Sequence, residues 1–149
     1  MPIYFYSPLE EPYGCFSNFS PHGVDLDGLW WPTVEHFFQA QKFAGTPRAE
    51  AILRAGSPKR AKELGQSRRQ PLRSDWEAVK DEVMRRAVLR KFELHHGIRV
   101  LLLSTGVEEL VENAPSDYYW GCGRDGSGKN MLGRILMEVR ETLRRRGGG

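Results

Sequence analysis

A chain of 149 residues, 40% apolar and 28% charged, is long enough to bury a core as one domain without disulfides or metals, and its composition excludes a disordered or fibrous chain. A net charge of +3 and a pI near 9.0 permit a nucleic-acid partner without demanding one, and part of the excess lies in Arg140, Arg144, Arg145 and Arg146, a pattern suited to a frayed helix end. Cys15 and Cys122 belong to no metal-ligand spacing, the first residues are not those of a secretory signal, and the apolar run at 101–103 is too short to span a membrane, so a cytoplasmic protein with reduced thiols, no metal and no membrane contact is expected.

Ile3, Tyr4, Phe5 and Tyr6 favour a short first strand, after which 7–18 is rich in turn residues. There, Cys15-Phe16-Ser17-Asn18-Phe19-Ser20-Pro21 sets an amide between two aromatic rings, which suits either a turn pinned by its own Asn or a platform for a flat ligand. Residues 24–31 alternate around Asp25, Asp27 and Gly28 and predict a hairpin that delivers the chain into a helix over 30–43. Pro32 has its φ fixed for a helix start, Thr33 can cap, and nothing breaks the run before Gly45. At about 100° per residue, Glu35, Gln39 and Lys42 share one narrow sector while Phe37 and Phe38 point inward. Two readings of that stripe stay open: a solvated Glu to Lys face, or ionisable groups held against an apolar floor of Trp30, Trp31 and phenylalanines, where pKa values shift.

Further helices are predicted over 47–54 and 57–65, the second with Ser57 as cap, Pro58 in its first turn and Gly65 at its end. Ser67-Arg68-Arg69-Gln70-Pro71-Leu72-Arg73 is a basic connection. Ser74 opens the longest helix, 75–95, with Trp76, Val79, Val83, Met84, Ala87, Val88, Lys91 and Phe92 on its core face. His95 and His96 read as C-terminal caps, Gly97 as a stop, 99–103 as a short helix, and 108–112 as either a strand or another helical turn. The last helix starts at Asn130, with Leu132, Ile135, Leu136, Val139 and Leu143 as its buried stripe.

Between 117 and 130 the chain matches two phosphate-binding patterns. Gly121, Gly123 and Gly126 fit G-x-G-x-x-G, and 123–129 fits the first seven positions of a P-loop. Neither has the required hydrophobic strand upstream, and Asn130 stands where a P-loop needs Ser or Thr. What remains is either a long turn before a helix or a ligand loop, with glycines allowing close approach, Trp120 offering a flat face, and free N–H groups of the last helix facing an anion.

Ser17-Asn18-Phe19, Thr33-Val34-Glu35-His36-x-x-Gln39-Ala40-x-Lys42, Leu64-Gly65 before Arg68, Asp75-Trp76-x-x-x-Lys80, Asp117-x-x-Trp120-Gly121-x-Gly123 and Gly128-Lys129-Asn130-x-Leu132-Gly133 occur in this order along nearly the whole chain. Together they resemble the NADAR (YbiA-like) family of N-glycosidases, named for NAD and ADP-ribose. The resemblance implies a mainly α fold, a compact multihelical single domain over 1–149 with a few short N-terminal strands and a disordered tail over about 144–149. It implies cleavage of ribose C1–N bonds in a small-molecule ribosyl or ADP-ribosyl substrate, with ADP-ribosylated guanine in DNA or RNA and phosphoribosylamino pyrimidines of riboflavin biosynthesis as substrate classes, and no cofactor. Carried over by position, Glu35 and Lys42 are the catalytic pair. Asn18, Phe19, His36, Gln39, Arg68, Trp76, Asp117, Trp120, Gly121, Gly123 and Asn130 line the substrate. Gln66-Ser67 separates Gly65 from Arg68, where the family more usually has Gly directly before Arg.

For such a bond, a carboxylate stabilises the charge that develops on the sugar and orients water, whereas a desolvated lysine can attack C1 of an opened ribose as a Schiff-base nucleophile. Both routes are open from the sequence. The rival class is a non-catalytic ADP-ribose or nucleotide-binding module. A basic nucleic-acid-binding domain is disfavoured by the modest charge.

Overall fold

The structure is a computed structural model that describes residues 1–147, and the last two residues of the expected tail lie outside the described residues. It is mainly helical, with strands β1 (Ile3–Phe5), β2 (Val24–Leu26), β3 (Leu29–Trp31) and β4 (Leu110–Glu112) and helices α1 (Val34–Gln41), α2 (Pro47–Leu53), α3 (Pro58–Gln66), α4 (Trp76–Leu94), α5 (His96–Ser104) and α6 (Met131–Arg146). A 3₁₀ turn spans Tyr13–Phe16. Two compact units result, one of 1–20 with 92–147 and the other Pro21–Lys91.

In the Pro21–Lys91 unit, Asp27 and Gly28 both take positive φ (55° and 79°) and make the tight two-residue turn between antiparallel β2 and β3, with Val24 opposite Trp31. Arg86 and Arg90 of α4 pair with Asp27 and Asp25 (2.8 and 2.6 Å), tying the hairpin to the helix. Trp31 then meets the edge of Phe37 at 5.3 Å between ring centres, while Trp30 is 58% exposed and is no part of the expected apolar floor. Of the expected α4 core face, Trp76, Val83, Met84, Ala87, Val88 and Lys91 are buried, whereas Val79 is half-buried. Gly65 differs from its expected role as a terminator. It lies inside α3, where a Cβ would sit 2.0 Å from Gln39 Oε1, so its missing side chain lets α3 approach α1.

The other unit pairs β1 with β4 in parallel, Tyr4 opposite Val111. This settles 108–112 as containing a strand, which joins the expected short strands of the N-terminal part. Phe16 is sandwiched by Phe5 and Phe92 (5.8 and 6.0 Å), and Leu102, Leu110, Leu132, Ile135, Leu136 and Val139 complete a buried apolar set. His95 and His96 open α5 instead of closing α4, and Gly97 falls in its first turn. Arg99 donates to His96 Nδ1 at 2.9 Å, which leaves that nitrogen an acceptor. The tail expected from about residue 144 is helical to Arg146, because Arg144 and Arg145 pair with Glu141 at 2.8 and 3.1 Å and Arg146 pairs with Glu93.

Asn130 has left-handed backbone geometry (φ 53°) and joins α6 to β4. Its Nδ2 donates to Leu110 O and its Oδ1 accepts from Glu112 N, each at 2.9 Å, so one side-chain amide serves two strand groups as a neighbouring peptide would. Gly133 makes room for it. A Cβ there would lie 2.1 Å from Leu110 O and 2.4 Å from Asn130 Nδ2. Asn130→Asp keeps the acceptor but sets a charge against the Leu110 carbonyl, and should cost on the order of 2 kcal/mol in urea denaturation. Gly133→Ala should cost at least as much; unchanged midpoints in both would remove this contact from the fold's supports.

Candidate functional site

The polar stripe of α1 is buried. Relative exposures of 7% for Glu35, 4% for Gln39 and 8% for Lys42 eliminate the solvated-face reading, since each group has exchanged water for protein. Gln39 Nε2 donates to Glu35 Oε2 at 2.7 Å, one helical turn apart. Lys42 Nζ is 5.8 Å from the centre of the Phe38 ring, and Phe38 rests on Trp76 at 5.1 Å, so the apolar floor is Phe38 and Trp76. Nζ also donates to Gly65 O at 3.5 Å, a carbonyl that accepts from Arg68 at 2.8 Å.

These surroundings lower the Lys42 pKa from 10.5 to about 8. Burial is the largest cause; the Arg68 charge pushes the same way, Glu35 opposes, and Lys62 and Lys80 add small depressions. The C-terminal end of α1 is held from outside the helix, Arg73 N donating to Lys42 O at 2.9 Å and the Arg73 guanidinium reaching Gln41 O at 3.5 Å.

His36, expected to line the substrate, is committed elsewhere. Its Nε2 is 2.9 Å from the Ala55 carbonyl, which can only accept, so Nε2 carries the proton, and Nδ1 accepts from the Thr33 hydroxyl at 2.8 Å. Burial lowers its pKa, consistent with a neutral ring that ties the start of α1 to the end of α2. Trp76, 4% exposed, lies beneath Phe38 as a second layer.

In the other unit, the 15–21 stretch is a pinned turn in which the Ser17 hydroxyl accepts from Phe19 N at 3.1 Å and the Ser17 carbonyl from Ser20 N at 3.1 Å. Asn18 is buried and Phe19 half-buried. Asp117 Oδ1 accepts from the backbone N–H of Tyr119 and Trp120 (3.0 and 2.8 Å), and Trp120, half-buried, meets Tyr119 edge-on. A Cβ on Gly121 would strike Ala114 and the Glu112 carbonyl, and one on Gly123, at φ 72°, would strike the Tyr118 ring. These glycines admit the chain's own atoms. The N–H groups of Met131 and Leu132 donate to Tyr119 O and Trp120 O, so the start of α6 does not offer them to an anion, contrary to expectation. Asn130 is engaged with β4 as described. Among the described residues no group of three or more His, Cys, Asp or Glu is arranged to hold a metal, and no helix is long and apolar enough to cross a membrane.

Residues 4–144 match the NADAR domain family. The chain belongs to that family. An N-glycosidase of Nostoc punctiforme is 52% identical over 147 residues, covering 97% of this chain and 94% of the relative. The NMR structure of the Escherichia coli protein YbiA superposes with a TM-score of 0.91 at 48% identity, covering 99% of this chain and 87% of YbiA. A riboflavin biosynthesis protein of Vibrio vulnificus is 44% identical across 95% of this chain, which spans only 38% of that longer protein.

Against that NADAR background, the structure brings Glu35, Gln39, Lys42 and Arg68 into one cluster, Gln39 bonded to Glu35 and Lys42 sharing the Gly65 carbonyl with Arg68. Gly65 and Arg73 are the members that sequence reading missed; a glycine inside a strong helix pattern was a usable signal for the first, whereas Arg73 acts across 31 residues with no local mark. Holding Lys42 at about 8 disfavours its protonated form by about 3 kcal/mol. Because the depressed value lies below that of the unfolded chain, this cost is present at neutral pH and is relieved as pH rises from about 8 to 10.5. Lys42→Met should therefore raise the melting temperature at pH 7 by several degrees and flatten the rise of stability across that window; a lowered melting temperature would mean that the amine is a net support of the fold.

Proposed function

We propose that this chain is an N-glycosidase that hydrolyses a ribose C1–N bond, acting on ADP-ribosylated guanine bases in nucleic acid, on phosphoribosylamino-pyrimidine intermediates of riboflavin biosynthesis, or on both. The observation that carries the reading is the desolvated Lys42 amine on the same buried helix face as Glu35. With a pKa of about 8, roughly one amine in ten is neutral at pH 7, against fewer than one in a thousand for an ordinary lysine. The names of the Nostoc and Vibrio relatives support the reaction class and the riboflavin substrates respectively.

In the covalent route the substrate ribose opens to a C1 iminium, and neutral Lys42 Nζ adds to C1. The C1–N bond to the base then breaks, the base leaving with a proton. Water adds to the resulting lysine imine and releases the free sugar aldehyde and the amine. In the direct route Lys42 stays charged, and Glu35 takes a proton from water as it attacks C1. The buried stripe favours an enzyme over the non-catalytic binding module, whose expected glycine contacts are filled by Ala114 and Tyr118.

Incubation with ADP-ribosylated guanine DNA and with the pyrimidine intermediates should release base and sugar phosphate from at least one; no release from either would end the proposal. Borohydride during turnover should trap a ribosyl adduct on Lys42, absent in Lys42→Ala. Loss of the adduct with Lys42→Arg still active would restrict Lys42 to supplying charge. The pH–rate profile gives the same decision with a sign: the covalent route speeds up as pH rises through about 8, and the direct route slows.

A further inference from the structure

Gly65 and Gln39 meet more closely than any side chain would allow. A Cβ at position 65 would lie 2.0 Å from Gln39 Oε1, 2.6 Å from its Cδ and 2.8 Å from its Cβ, so the flat amide lies directly on the α3 backbone. The other end of that amide donates to Glu35 Oε2 at 2.7 Å. Gln39 Oε1 is buried with no hydrogen-bond partner among the described residues, an unfavourable state for an amide oxygen removed from water. The amide is thus held in an orientation that serves the carboxylate at the expense of its own oxygen. An ionised Glu35 accepts hydrogen bonds and cannot donate one, so only the N–H end can face it.

We propose that Gln39 and Gly65 form a positioning relay for the reacting carboxylate: Gly65, by lacking a side chain, seats the Gln39 amide, and the seated amide fixes the rotamer and the charged state of Glu35. The proposal rests on the reading of Glu35 and Lys42 as the reacting groups. It adds a reason for α3 to contribute to the site beyond the Gly65 carbonyl, which holds Lys42 and Arg68. Neither Gln39 nor Gly65 needs to touch the sugar. Their effect reaches it through the 2.7 Å contact, in the way that supporting hydrogen bonds orient reacting side chains elsewhere.

The test uses Gln39→Met, which fills the same space without a donor, and Gly65→Ala, alone and combined with Gln39→Ala. For Gln39→Met we expect kcat to fall about 10–100-fold with KM changed less than about threefold. The limb set by Glu35 should move to higher pH, because the charged carboxylate has lost its donor, while the limb set by Lys42 stays in place. Gly65→Ala should lower both kcat and the melting temperature; adding Gln39→Ala should restore the melting temperature to that of Gln39→Ala alone without restoring kcat. A ¹³C NMR titration of the Glu35 carboxyl in the unliganded protein separates this proposal from the proposed reaction. If the wild type turns over neither substrate but the carboxyl titrates at higher pH in Gln39→Met, the relay stands and the reaction assignment fails. If Gln39→Met leaves kcat and the Glu35 titration at wild-type values, the relay is overturned.

Discussion

Residues 34–40 of α1 are all buried, and they include a carboxylate, an amide and an imidazole, with the Lys42 amine buried just beyond. A helix in that position loses water around every polar group and must recover partners from the chain around it. The surrounding elements are arranged accordingly. Ala55 at the end of α2 accepts from His36, Gly65 of α3 offers its carbonyl to Lys42, and Arg73 meets the last carbonyls of the helix. The Pro21–Lys91 unit is in this sense a set of answers to the polarity of one short helix.

Those answers are unequal. His36 is fully served at both nitrogens, whereas Lys42 keeps one long contact to a carbonyl, a cation over a ring, and neighbouring charges that mostly oppose its own. The unfavourable balance collects on Lys42 and on the orphaned Gln39 oxygen, next to the carboxylate that chemistry would use. Strain of this kind away from a reacting centre would only weaken the fold, and its location is therefore informative about where the protein is specialised.

Local signals carried much of the fold. Pro32 and Thr33 marked the start of α1, Asp27-Gly28 marked the hairpin, and the apolar spacing of α4 marked its buried face. Periodicity also put Glu35, Gln39 and Lys42 on one stripe, but it gave no information on what covers a stripe, so burial was undecidable until α3 was placed. Gly65 had the chemistry of a helix terminator, and close packing on Gln39 overrode it. The parallel pairing of Ile3 with Leu110 joins residues more than a hundred positions apart, beyond any local pattern. In the 117–130 loop Gly121, Gly123 and Gly128 do admit close approach, but from Ala114, Tyr118 and Cys122 of the chain itself, and a Cβ on Gly126 would meet nothing within 4 Å.

The amide of Asn130 also helps to limit the β1–β4 sheet to two strands. One side chain occupies the donor of Glu112 and the acceptor of Leu110 on the side of β4 away from β1, where another strand would dock. A two-stranded parallel sheet with an open flank is a template for unwanted pairing with a second polypeptide. Asn130 at the head of α6 closes that flank together with the Cys122 N–H, which donates to the Glu112 carbonyl at 2.9 Å, giving protection from edge-to-edge association with one side chain and one peptide where many folds use a covering helix or a row of charges.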